Sequence, residues 1–182
     1  RDRTGTRKTV ISAFDYKNYC IKNTGKANKL LFIAHRKEIL EQARTCFRGI
    51  LKNNNFGELF VGEHKPSDVK HLFVSVQTFN SQDLWDKFSK DYYDYIIIDE
   101  THHAAAGSYQ NIFDHFDPEI LLGLTATPER MDGKSILDYF DNRIAAEIRL
   151  PEAIERKLLS PFQYFGVSDT VDLDSLKWAK GG

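Results

Sequence analysis

In the middle of the chain, Tyr95-Ile96-Ile97-Ile98 runs directly into Asp99-Glu100-Thr101-His102-His103. An apolar run without a polar break reads as a strand covered on both faces, because a half-exposed strand would alternate. Three further runs have the same texture: Leu30-Leu31-Phe32-Ile33-Ala34, which stops at His35, Leu72-Phe73-Val74-Ser75-Val76, and Leu121-Leu122-Gly123-Leu124. Between Ala34 and Leu72, Ile39, Ala43, Phe47 and Leu51 recur at steps of four, joined by Leu40 and Ile50, as one apolar face of an amphipathic helix. Val10 to Ile21 and Tyr109 to Phe116 read as two more helices, Asp83 to Phe88 as a helical turn, and Asn53-Asn54-Asn55-Phe56-Gly57 as a turn after the long helix. Strands alternating with helices predict an α/β domain with a mostly parallel sheet and helices on both faces. The strand order is not legible at this level.

Composition narrows the function classes. The chain has 182 residues, about one domain at roughly 150 residues each, and long enough to bury a core without disulfides or a structural metal. With 41% hydrophobic and 28% charged residues it is not a disordered chain. Its 25 Lys and Arg against 26 Asp and Glu leave a net charge of −1, which excludes gripping nucleic acid by bulk positive charge and leaves open a local basic face. Cys20 and Cys46 form no CxxC pair, so neither a disulfide framework nor a cysteine zinc site is expected. The longest apolar runs are about five residues, against the roughly 20 that span a bilayer. Arg1-Asp2-Arg3 opens no apolar leader. The expectation is a cytoplasmic protein with no membrane partner.

Open parallel sheets bind ligands at the carboxyl ends of their strands, and three polar clusters fall there. The first is the carboxylate pair. Asp99 is suited to hold Mg2+ through water, and Glu100 to act as general base toward an attacking water; a solvated acidic turn is the plain alternative. His102 and His103 invite a zinc reading, but Glu/His pairs at i, i+3 on facing helices are absent. The second cluster, Thr4-Gly5-Thr6-Arg7-Lys8-Thr9, stands directly before the Val10 helix. A phosphate loop of the pattern G-x-x-x-x-G-K-[ST] needs glycines to bring backbone amides onto phosphate, a lysine for the outer phosphates and a hydroxyl for Mg2+. Lys8 and Thr9 fill the last two roles at a helix start, where the dipole favours an anion. Asp2 and Arg7 occupy both glycine positions, and the plain alternative is a basic helix cap. The third cluster, Leu124-Thr125-Ala126-Thr127-Pro128-Glu129-Arg130, has the small hydroxyl residues of a hydrogen-bonded loop between two sites.

Taken in their order along the chain, the clusters resemble the first motor domain of superfamily-two helicases and translocases, the restriction-enzyme Res-subunit type in particular. Thr4 to Thr9 is similar to motif I, Asp99-Glu100-Thr101-His102 to the DEAH-type motif II, and Thr125-Ala126-Thr127 to motif III; Ile33-Ala34-His35-Arg36 resembles motif Ia. The resemblance covers about residues 4 to 150. It implies a RecA-like P-loop NTPase fold binding ATP and Mg2+. Gly5, Thr6, Lys8, Thr9 and Asp99 would hold the nucleotide, Lys8 on the β/γ-phosphates, with Thr9 and Asp99 on the metal. Asp99, Glu100 and Lys8 would be the catalytic set. His35, Arg36, Gln77 and Thr78 would lie along a nucleic-acid backbone, and Thr125, Thr127 and His102 would couple the two sites. For Arg36 the choice is between bidentate phosphate binding and a salt bridge to Glu38 or Glu41; for Gln77 it is between nucleic acid and capping the next helix.

The texture changes at Pro151. Glu152 to Lys157 reads as helical, Ser160-Pro161 breaks it, and the tail from Val167 to Gly182 has little periodicity. The division expected is therefore a motor domain over 1–150, its start truncated, and a linker over 151–182 toward a second motor domain. By the resemblance, that second domain supplies arginine fingers. The expected activity is ATP-dependent movement on DNA, incomplete without it. The alternatives are an RNA helicase domain and a nucleotide-dead interaction module, while a metabolic P-loop kinase leaves Thr125-Ala126-Thr127 without a role.

Overall fold

Leu30, Phe32 and Ala34 face one way and Leu31 and Ile33 the other, as period-two strand geometry requires, and all five are fully buried. The computed structural model describes residues 3–62, 65–100 and 107–125, with side chains over 8–62, 65–100 and 108–125. The chain divides at residues 143 and 144 into two units, and every described residue lies in the first. The elements in order are α1 (Arg3–Lys22), β1 (Leu30–Ala34), α2 (Lys37–Leu51), β2 (Glu58–Phe60), β3 (His71–Ser75), α3 (Val76–Ser81), α4 (Leu84–Lys87), β4 (Tyr95–Asp99), a 3-10 turn (Gly107–Tyr109), α5 (Gln110–His115) and β5 (Ile120–Leu124). The five strands form one wholly parallel sheet in the order β2-β3-β1-β4-β5. The connection after β1 leaves to one side of the sheet and the connection after β4 to the other, so strand order turns back between β1 and β4.

Two apolar layers cover the sheet. On one face Phe32, Phe73, Tyr95, Ile97 and Leu124 pack with Ala13, Tyr16 and Tyr19 of α1 and Leu40, Ala43 and Phe47 of α2. On the other, Leu31, Ile33, Leu72, Val74, Ile96 and Ile98 meet Phe79, Leu84, Ile112 and Phe116 from α3, α4, α5 and the residue that follows α5. Helices on both faces are as expected. Helix α2 ends where Lys52 adopts a left-handed conformation (φ 53°, ψ 40°). Arg48 Nε and Nη2 then donate to the carbonyls of Phe56 and Gly57 at 2.8 and 2.9 Å, fixing the turn into β2. No described helix is long and apolar enough to cross a membrane.

Three boundaries depart from the sequence reading. Thr4 to Thr9, read as a loop, is the first part of α1, which starts at Arg3. Arg7 is a good helix former where the loop pattern wants glycine, and the lone Gly5 costs a helix only about 1 kcal/mol. The third apolar run ends as a strand at Ser75, because the Ser75 hydroxyl accepts the Thr78 N–H at 3.2 Å and opens α3 at Val76. Strand β2 is a short addition at the edge. The helix expected over 152–157, the break at Ser160-Pro161 and the boundary at 150/151 lie outside the described residues.

Candidate functional site

Because all strands are parallel, their carboxyl ends share one rim of the sheet. Pairing is in register along it: Ala34 opposite Ser75, Ile33 opposite Ile98, and Asp99 opposite Leu124. His35 and Arg36, Gln77, Asp99 and Glu100, and Thr125 therefore leave the sheet at one level, at and beside the point where strand order turns back.

Asp99 is the last residue of β4 and only 3% exposed. It continues the side of β4 that carries Tyr95 and Ile97, the side covered by α1. Burial pushes its carboxyl above the usual carboxylate range, and the Glu100 charge adds to this. The Glu100 N–H, donating to Asp99 Oδ1 at 2.8 Å, and the Lys8 ammonium oppose it. Lys8 and the buried Thr9 lie on α1, the helix that covers this side of β4. Glu100 itself has a left-handed backbone (φ 54°), a conformation that residues other than glycine adopt mainly where surroundings impose it, and often at functional sites.

A buried carboxylate at the end of a strand, on the side covered by the helix that bears a lysine, suits Mg2+ bound to a nucleotide. That ion prefers oxygen ligands, keeps several waters and needs only one or two carboxylates when phosphates supply the rest. No cluster of three or more His, Cys, Asp or Glu capable of caging a metal occurs among the described residues. The side chains of Gly5, Thr6 and Arg7, and all of His102, His103 and Thr127, lie outside what the structure describes.

On the neighbouring stretch of the rim, His35, Arg36 and Gln77 are exposed together. Gln77 Nε2 donates to His35 Nδ1 at 2.8 Å, joining the ends of β1 and α3. Ser75, not Gln77, caps α3. Glu41 pairs with Lys37 at 3.7 Å, and no ion pair of Arg36 is found among the described residues. Thr78 differs from these three. It is buried, and its hydroxyl is engaged with Ser75 Oγ at 2.9 Å and with the Gly62 N–H at 3.0 Å, so it shapes the rim from inside.

One buried residue was not among the site residues read from the sequence. Tyr109, 1% exposed, sits at the start of α5, and the charges that raise its hydroxyl, after burial itself, are those of Glu100 and then Asp99. In sequence it is one apolar position of a short helix, so nothing local distinguishes it.

Residues 2–130 match the family model described as type III restriction enzyme, res subunit. The chain is 29% identical over 188 residues to IRC3 of Saccharomyces cerevisiae, described as an ATP-dependent helicase, covering 96% of this chain and 26% of that one. It is also 29% identical over 191 residues to the type I restriction enzyme EcoAI endonuclease subunit of Escherichia coli, covering 98% of this chain and 22% of that one. It therefore spans less than a third of these relatives. In fold it is similar to the helicase domain of Hef from Pyrococcus furiosus, with a TM-score of 0.57 and 22% identity, over 76% of this chain and 31% of that one.

Proposed function

The chain belongs to the type III restriction enzyme res-subunit family of helicase motor domains, and from that premise we propose that it holds the ATP half-site of a motor that moves along DNA. The carrying observation is that α1, which bears Lys8 and Thr9, covers the side of β4 that ends in Asp99, where Glu100 follows. In this reading Lys8 binds the outer phosphate oxygens, and Thr9 and Asp99 hold Mg2+. Bound Mg-ATP would supply the phosphoanhydride and a metal charge that favours the ionised form of Asp99. Glu100 accepts the proton of the attacking water. His35, Arg36 and Gln77 present donors to phosphodiester oxygens, and Thr125 with Thr127 and His102 links that surface to the nucleotide. DNA is favoured over RNA by the restriction-enzyme relative. The motor spans 1–150 and residues 151–182 lead to a second RecA-like domain whose arginine completes the site.

The experiment follows from the missing half. This chain alone shows negligible DNA-stimulated ATP turnover, while the full-length protein turns over ATP and loses that activity in Glu100→Gln. Strong DNA-dependent hydrolysis by the isolated chain contradicts the proposal. A second reading, a nucleotide-dead docking module, is favoured by Arg7 at a loop-glycine position and by the helical course of Thr4 to Thr9. Thermal shift separates the two, since Mg-ATP at 100 times its dissociation constant stabilises a binder by about 2.7 kcal/mol.

A further inference from the structure

His35 and Gln77 leave the sheet from neighbouring strands and meet at the rim. Ala34 ends β1 opposite Ser75 at the end of β3, so the first residue beyond one and the second beyond the other stand side by side. Gln77 Nε2 lies 2.8 Å from His35 Nδ1 and 3.3 Å from Nε2, which places the amide nitrogen against the ring edge between the two nitrogens. An amide NH2 has two protons to give and cannot accept one. The nearer ring nitrogen, Nδ1, is therefore the acceptor, and this is the neutral imidazole with its own proton on Nε2. The backbone beneath Gln77 is fixed as well. Val76, Thr78 and Phe79 are buried, and the Thr78 hydroxyl is held by Ser75 Oγ and the Gly62 N–H, so Gln77 is the exposed residue of the first turn of α3.

Resting on the reading of this rim as a nucleic-acid surface, we propose that His35, beyond any donor it presents itself, is a positioning residue for Gln77. By accepting one amide N–H it turns the second toward a phosphodiester oxygen. Glutamine is among the side chains with the most rotamer freedom to lose, and an exposed one that is free in solution must be ordered when the ligand arrives. The bond to His35 orders it beforehand. An arrangement of this kind also has its own signature in salt. Neither the amide nor the neutral ring carries a charge, so the pair adds affinity without adding to counterion release. Arg36, the next residue along the chain, is the charged contact of the same surface and has the opposite signature. The ligand the pair suits is a phosphodiester backbone of any sequence, since the contact is made to phosphate and not to a base edge.

The test measures binding of the full-length protein to a fluorescent single-stranded oligothymidylate at several salt concentrations. Gln77→Ala is expected to weaken binding about fivefold and His35→Ala about threefold, the size of single neutral hydrogen bonds. The double variant loses well under the roughly fifteenfold of independent effects. The salt slope stays at its wild-type value in all three. His35→Asn, whose Oδ1 can accept the same amide N–H, binds more tightly than His35→Ala. Losses that multiply, a His35→Asn protein no better than His35→Ala, a slope that falls with His35→Ala, or a loss that tracks a lowered Tm each overturn the proposal. Arg36→Ala run alongside separates the two levels. If neither Arg36→Ala nor Gln77→Ala weakens binding, the nucleic-acid reading of the rim is wrong and the proposal falls with it. If Arg36→Ala weakens binding while the His35 and Gln77 losses multiply, only the positioning role of His35 is lost.

Discussion

Gly57 stands where the turn after α2 enters β2, with φ at +70°. A Cβ added there would lie 2.4 Å from Phe73 Cε2 and 2.9 Å from Cδ2. Phe73 cannot swing away, because it is fully buried, stacked on Phe32 at 5.4 Å and edge-on to Phe47 at 5.6 Å. Gly57→Ala therefore adds left-handed strain of about 1–2 kcal/mol to an overpacking cost of about 1–3 kcal/mol, less up to about 1 kcal/mol from a stiffer unfolded chain. The net loss is about 1–5 kcal/mol, which lowers Tm by roughly 2–20 °C in a chain of this size. Gly49→Ala is the control: Gly49 is exposed within α2, with no atom within 4 Å of its added Cβ, and the change gains about 0.5–1 kcal/mol of helix stability. Thermal melts and urea titrations of both variants give the answer. If Gly57→Ala melts within a degree of wild type, the reasoning about the Phe73 contact is refuted.

Other outcomes follow from single sites. Burial holds the His71 imidazole below its ordinary pKa, with Lys70 contributing. The stability it carries is fully present above the unfolded value of about 6.5 and is lost as pH falls from there through the folded value. His71→Gln should flatten the fall in Tm between about pH 7 and 5, and an unchanged slope would rule His71 out as its source. Arg36→Ala in the full-length protein should weaken DNA binding about fivefold at moderate salt and reduce the salt slope by about 1, as expected for one lost phosphate contact; an unaltered slope would place Arg36 off the DNA. Arg7→Gly should tighten Mg-ATP binding in a direct titration. Equal affinities would remove the idea that the Arg7 side chain obstructs phosphate.

The strands that hold the site are legible in sequence because a parallel strand covered on both faces must be apolar throughout: Leu30 to Ala34 and Tyr95 to Ile98 can hardly be read otherwise. Strand β2 escapes notice because it is three residues long, at the sheet edge, and opens on Glu58. The Ser75–Val76 boundary is blurred for a different reason. Val76 continues the apolar β-branched texture, and the switch to helix is made by the side chain of Ser75. The carboxylate pair and the rim residues His35, Arg36 and Gln77 stand out locally, since each follows an apolar run. Strand order, the packing of α1 against the side of β4 that ends in Asp99 and the burial of Tyr109 depend on long-range contacts, and no local pattern encodes them.

The central claim is that Lys8 and Asp99 serve one triphosphate site. A double-mutant cycle on Mg-ATP affinity tests it, using Lys8→Ala, Asp99→Asn and the combined variant, each shown to be folded by circular dichroism. One shared site predicts that each single change weakens binding by at least about tenfold, or 1.4 kcal/mol, and that the double variant loses markedly less than the product of the two. Losses that simply multiply, or an Asp99→Asn protein that binds Mg-ATP as wild type does, would contradict it.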